Sequence, residues 1–271
     1  MNKERNDILI ERISSSAKAL SLDLYAKDLA GYIDDYGLTH EELKAVCDVF
    51  EYLEKKKHES MVYTMLKLSK LPMVEPKTFE RFDFSRLHGK HVQALKSLHM
   101  LAPLYARKNL AFIGPQGVGK THLAMAFGRE CCLNGFKTYF LKASELNQKF
   151  TDARRNGRED TVINGLVKPS CLIIDEVGRC VFDKDNTRLF FDMIDRRYNK
   201  DGPCTMIFTS NKSPAQWREF FSEDDTLLCS LDRIFDDATV FMMKGDSYRG
   251  KNLETLGIEA GTASHTEYKN T

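Results

Sequence analysis

The segment Asn109-Leu110-Ala111-Phe112-Ile113-Gly114-Pro115-Gln116-Gly117-Val118-Gly119-Lys120-Thr121-His122 runs from a short apolar stretch through a glycine-rich turn into polar sequence that opens a helix. Its core, Gly114 to Thr121, has the G-x-x-x-x-G-K-[ST] spacing of a phosphate-binding P-loop, with a strand before it and a helix after it as that motif requires. Glycines let backbone amides turn inward into an anion nest, and the helix amino end adds partial positive charge. Lys120 suits the β- and γ-phosphates, and the Thr121 hydroxyl is a hard oxygen ligand for Mg2+. The expected ligand is a nucleoside triphosphate, cradled by Gly114, Pro115, Gln116, Gly117, Val118, Gly119, Lys120, Thr121 and His122.

Four more apolar runs lie downstream or at the end of the same region: Thr138–Leu141, Cys171–Ile174, Thr205–Thr209 and Thr239–Met243. Each is short and separated from the next by polar or helical sequence, the texture of buried parallel strands with crossover helices. The spacing predicts an α/β fold with a doubly wound sheet over roughly residues 76–250. Two runs end in chemistry. Cys171-Leu172-Ile173-Ile174 leads into Asp175-Glu176, an acid for the magnesium shell followed by an acid for the attacking water. Thr205-Met206-Ile207-Phe208-Thr209-Ser210 leads into Asn211, a group able to hydrogen-bond that water or the γ-phosphate, although Asn after a strand is commonly a turn residue. Arg233, in Leu231-Asp232-Arg233-Ile234-Phe235, and Arg249, in Asp246-Ser247-Tyr248-Arg249, are candidates to neutralise phosphoryl charge.

Upstream, residues 1–75 are helical in pattern and highly charged. Thr39-His40-Glu41-Glu42 is a capping box, and Leu43, Val46, Cys47, Phe50 and Leu53 form one apolar stripe behind it. Lys55-Lys56-Lys57 is the expected end of that helix, with a second amphipathic segment from Met61 to Leu68 and a linker around Pro72 and Pro76. A small helical unit of this kind needs the rest of the chain or a partner to cover it. Residues 251–271 read as a polar, flexible tail.

The order of these motifs, with Thr78-Phe79-Glu80-Arg81-Phe82-Asp83-Phe84 ahead of the core, Trp217 after the Thr-Ser-Asn strand end and Lys244-Gly245-Asp246-Ser247-Tyr248-Arg249 closing it, resembles AAA+ ATPases of the IstB/DnaC type. The resemblance spans roughly residues 10–250 and is stronger to the IstB-like helper ATPases of insertion-sequence transposition. It implies a five-stranded parallel sheet core preceded by a small all-α domain. It further implies Asn211 as sensor 1, Arg249 as sensor 2 in its own subunit, and Arg233 as an arginine finger reaching the nucleotide of the next subunit. A finger acting in trans implies a homo-oligomer, and the family implies double-stranded DNA and a transposase as partners. Family members carry a helical insertion after the second strand that lies on DNA; here that is Ser144–Pro169, with Lys149, Arg154, Arg155 and Arg158. Arg158 stands three and four residues beyond the other two arginines, a spacing that puts all three on one helix face. Val177-Gly178-Arg179-Cys180-Val181-Phe182 departs from the family's Gly-Tyr-Leu-Pro-like segment. The rival readings are a DnaC-like loader of the replicative helicase, a P-loop small-molecule kinase and a binding switch that hydrolyses little.

Composition sets the outer limits. The chain has 271 residues, 42% hydrophobic and 29% charged, with 40 Lys+Arg against 39 Asp+Glu. That balance excludes disorder throughout. No apolar run approaches the ~20 residues of a membrane span, and Met1-Asn2-Lys3-Glu4-Arg5-Asn6-Asp7 does not open a signal peptide, so a cytoplasmic location is expected. The 7 cysteines, an odd count with Cys131 and Cys132 adjacent, are expected to be reduced and not to bind metal. With a net charge of +1, any nucleic-acid contact has to come from a local basic patch.

Overall fold

The computed structural model describes residues 2–222, 233–236, 238–245 and 247, the side chains of 2–4 excepted. Five strands form the sheet: β1 (Leu110–Ile113), β2 (Thr138–Lys142), β3 (Cys171–Val177), β4 (Thr205–Ser210) and β5 (Thr239–Met242). They are parallel and lie in the order β2-β3-β4-β1-β5, so the chain crosses over after every strand. The five expected runs are these strands, shifted by a residue or two, except that β3 continues past Ile174 to Val177. Asp175 and Glu176 therefore lie within its last turn of pleat, at a register irregularity between Ile174 and Val177.

Alternation along the strands separates two apolar layers. Ala111 and Ile113, Leu172 and Ile174, and Met206 and Phe208 face one layer, covered by α7 (Ala143–Arg155), α8 (Glu159–Val167) and α9 (Lys184–Tyr198). Leu110 and Phe112, Cys171 and Ile173, and Ile207 face the other, covered by α6 (Lys120–Leu133) and by Leu95, Leu98, Leu101 and Leu104. Both sheet faces are thus buried, which is why the strands read as unbroken apolar runs.

A third apolar cluster joins α1 (Asn2–Leu20), α2 (Ala26–Tyr36) and the first half of α3 (His40–Leu68). The capping box forms: the Glu42 N–H donates to Thr39 Oγ1 at 3.3 Å, and the Thr39 N–H donates to Glu42 Oε2 at 2.8 Å. Of the predicted stripe, Leu43 and Cys47 are buried, Val46 and Phe50 pack against them, and Leu53 is exposed.

The helix does not stop at Lys55-Lys56-Lys57. It continues unbroken to Leu68, 29 residues in all. No Gly or Pro interrupts it, and Lys56 pairs with Glu59 one turn on at 3.0 Å, so the lysine run has nothing to terminate against. Its far end docks on the sheet. Leu71 joins the α6-side layer, and the Ser69 carbonyl accepts the Phe140 N–H at 2.8 Å. β2 is an edge strand, so this bond satisfies part of an otherwise open edge.

Candidate functional site

The carboxyl ends of β1, β3 and β4 converge, as they must in a sheet of this order, and loops from each meet around a cavity of 620 Å³. β1 ends in the glycine loop. Gly117 and Gly119 have φ of +80° and +93°, conformations that suit glycine. A Cβ on Gly119 would stand 2.5 Å from the Phe82 ring, and one on Gly117 would collide with Ser247, so the loop is also closely packed. Lys120, only 8% exposed, donates to the carbonyls of Gly114 at 2.8 Å and Pro115 at 2.7 Å, and to Asn211 Oδ1 at 2.7 Å. The P-loop cation and the β4-end asparagine are therefore in direct contact.

The end of β3 is held by hydroxyls. Thr121 Oγ1 donates to Asp175 Oδ1 at 2.8 Å, and Thr209 Oγ1 donates to the same oxygen at 2.5 Å. Asp175 Oδ2 has no hydrogen-bond partner among the described residues. Thr209 Oγ1 in turn accepts the Glu176 N–H at 3.0 Å, so one threonine of β4 orients both acids. Glu176 is a non-glycine residue with φ +60°, a conformation that costs on the order of 1 kcal/mol and is held here by that bond and two ion pairs. Its Oε2 lies 3.3 Å from Lys142 Nζ at the end of β2, and its Oε1 lies 3.1 Å from the Arg179 guanidinium.

A hydroxyl, a buried carboxylate with one uncommitted oxygen and a glycine-framed cavity of this size fit a magnesium-bound nucleoside triphosphate. The predicted set divides by position. Gln116, Gly117, Gly119, Lys120, Thr121, His122, Glu176 and Asn211 line the cavity. Gly114 and Pro115 act through their carbonyls, and Val118 is buried in the apolar layer. His122 faces the wall: its Nε2 lies 2.8 Å from the Thr78 carbonyl, which can only accept, so Nε2 carries the proton. Burial, more than the nearby Lys77, holds the His122 pKa below its ordinary value, while the Thr78 bond opposes the shift.

Several residues at or beside the wall are given no site role by the motifs. Lys77, Arg81 and Phe82 come from the segment before the core, and Phe82 stacks edge-on to His122 at 5.3 Å. Arg179 lines the cavity, and Lys142, outside the lining, reaches it through its ion pair with Glu176; neither belongs to a motif. Thr209 had one visible signal, a hydroxyl interrupting an apolar strand.

Arg233 lies elsewhere. It pairs with Asp195 of α9 and sits 6.0 Å from the Tyr198 ring centre. The adjoining Ile234 carbonyl accepts from Asn109 Nδ2 at 3.0 Å, immediately before β1. Arg233 is thus at the amino-terminal end of the sheet, while Lys120 is beyond the carboxyl end of β1, a strand length of about 13 Å away. Arg249 lies outside the described residues.

The basic insertion needs a correction. It is two helices rather than one: α7 ends at Arg155, Gly157 turns the chain with φ +60°, and Arg158 stands at the N-cap position of α8 without a side-chain cap bond. Arg158 consequently does not share a helix face with Arg154 and Arg155. Arg154 is engaged as well, in ion pairs with Asp183 at 3.0 Å and Asp185 at 2.5 Å.

Comparison with known proteins agrees with this geometry. The family described as IstB-like ATP binding protein matches residues 16–255. This chain belongs to that family. It is 33% identical to a Geobacillus stearothermophilus protein named as the ATP-binding protein of insertion sequence IS5376, over 88% of this chain and 94% of the relative. It is 30% identical to the one named for insertion sequence IS21 in Pseudomonas aeruginosa, over 92% and 91%. Among solved structures, AMPPCP-bound DnaA from Aquifex aeolicus superposes with a TM-score of 0.52 at 20% identity, over 65% of this chain and 52% of that one, and so shares the AAA+ fold. Among the described residues, no helix is long and apolar enough to cross a membrane.

Proposed function

We propose that this member of the IstB-like family hydrolyses ATP to ADP and phosphate, assembles with copies of itself on double-stranded DNA, and recruits or stimulates the transposase of an insertion sequence in the cytoplasm. The observation that carries the ATPase part is the direct linkage of three strand ends: Lys120 to Asn211, and Thr121 and Thr209 to Asp175. The relatives' insertion-sequence names favour a transposase over a replicative helicase as the partner.

In this reading Lys120 exchanges its carbonyl and Asn211 partners for phosphate oxygens, and Asn211 is released to orient the attacking water. Thr121 and Asp175 would hold Mg2+, which when bound neutralises charge on the β- and γ-phosphate oxygens. Glu176 accepts the water's proton as the oxygen bonds to γ-phosphorus and the bond to the β–γ bridging oxygen breaks. Arg233, at the far end of the sheet, serves the neighbouring copy's site. Arg249 belongs to the same reading as a cis phosphate contact. Glu176→Gln tests it: ATP binding persists and hydrolysis falls by roughly 10²-fold or more, the range for a lost general base. A variant that hydrolyses at the wild-type rate would remove Glu176 from this role.

A further inference from the structure

A second cavity, of 580 Å³, opens at the amino-terminal end of the sheet, on the side away from the glycine loop. Arg107, Asn109, Arg197, Tyr198, Arg233 and Asp236 line it. Three guanidinium groups meet at this cavity with one carboxylate, Asp236, among the lining residues, and Asp195 pairs with Arg233 beside it.

Each cation is set there by specific bonds. Arg107 sits in the turn before β1 with φ +59° and donates to the Tyr198 carbonyl at 2.8 Å and the Gly202 carbonyl at 3.2 Å. Those bonds take two of its five N–H donors and leave its charge unneutralised, since Arg107 has no ion pair among the described residues. Arg233 lies over the ring of the same Tyr198, so two arginines from distant parts of the chain meet on one residue. Arg197 forms the floor. It is 1% exposed, donates to five backbone carbonyls and the Cys204 sulfur, and its Nε has no hydrogen-bond partner. Nearby, burial and then the charges of Arg197 and Arg107 push the Lys200 ammonium below its ordinary pKa. Arg233 is matched by Asp195, but Arg107 and Arg197 have no ion pair among the described residues, and positive charge held in this way is costly unless an anion completes it.

We propose that Arg107 is a second arginine presented across the subunit interface, acting with Arg233 to receive the phosphate oxygens of a nucleotide bound by a neighbouring copy of the chain. This rests on the reading of Arg233 as a trans-acting group. Asp195 then holds Arg233 in place until the neighbour's phosphates arrive, and Tyr198 sets the spacing of the pair.

Mixed assemblies test this with ATP and duplex DNA present. Arg107→Ala binds ATP as the wild type does, and its hydrolysis falls by roughly 10²-fold, the value of one lost charge-stabilising donor. Arg107→Lys, which keeps the charge and can still reach a carbonyl, retains an intermediate rate; a rate no higher than that of Arg107→Ala assigns Arg107 to the fold and overturns the proposal. Lys120→Ala protein cannot use its own site but still offers Arg107 and Arg233 to a neighbour. Mixing it in equal amount with Arg107→Ala restores about a quarter of the wild-type rate, the statistical share of head-to-tail interfaces with one good site and one good donor. Mixing Lys120→Ala with Arg233→Ala runs in parallel. If only the Arg233 mixture recovers, Arg107 has no trans role and this inference fails alone. If neither recovers, the trans reading of Arg233 falls with it. Lys120→Ala protein alone is also titrated with ATP and with inorganic phosphate: no Arg107-dependent binding is expected, and such binding would make the cavity a free anion site within one chain.

Discussion

Glu176 illustrates how little energy separates a restrained acid from a free one. Its two ion pairs, to Lys142 and Arg179, are with half-exposed cations, and such contacts are worth about 0.2–1 kcal/mol each. If Glu176 is the base, Arg179→Ala releases one carboxylate oxygen and raises ATP turnover without DNA by roughly 1.4- to 5-fold, the same energy expressed as a rate. A fall in turnover would instead make Arg179 a participant. His122 gives a pH signature. Its folded pKa is depressed, so its contribution to stability is complete above the unfolded value of about 6.5 and is lost as pH falls through the lower folded value. Acidification from about pH 7 to about 5 should therefore loosen Thr78–Phe82 against the glycine loop and weaken nucleotide binding, and His122→Gln should flatten that dependence. An identical pH profile for both proteins would exclude His122 as the cause. At this scale the glycine loop, Asp175 and Glu176 were legible because their spacing is fixed by local backbone geometry. Lys142, Arg179 and Thr209 were not, since each acts through a contact that only the folded sheet creates.

At the scale of elements, the crossover pattern was readable and the joints were not. The strands announced themselves because burial on both faces leaves no polar alternation. The continuous α3 was misread because a run of lysines suits a helix end but equally suits a solvated helix flank. The break after Arg155 was missed for the complementary reason: Asn156-Gly157 is a turn signal, and three arginines at helical spacing outweighed it. Arg197 shows what holds the elements in register. From α9 it donates to carbonyls of Leu166, Pro169 and Thr205, fastening the end of α8 to the starts of β3 and β4. Arg197→Met keeps the volume and orphans those buried acceptors. Unfolding free energy should drop by about 3 kcal/mol or more, measured by urea denaturation. A loss under about 1 kcal/mol would mean that water replaces the guanidinium.

For the whole molecule, near-neutral charge means that DNA affinity has to be local. If the chain binds duplex DNA as proposed, then with Arg154 committed to Asp183 and Asp185 the exposed Arg155 and Arg158 on the α7–α8 turn are the stronger candidates for phosphate contact, and Lys149 lies on the same insertion. Neutralising Arg155 and Arg158 together should lower the salt dependence of duplex binding by about two phosphate contacts, a change in log–log slope of about 1.8. Arg154→Ala should leave that slope unaltered and cost stability instead. The reverse pattern would return DNA contact to the helix face. Finally, α3 joins the amino-terminal cluster to the sheet as a single rod of about 43 Å, anchored at Ser69 and Leu71 against the strand that ends in Lys142. A rod so anchored has the geometry of a lever: a tilt of about 10° at the sheet would carry its distant tip through about 7 Å, more than the rise of one helical turn.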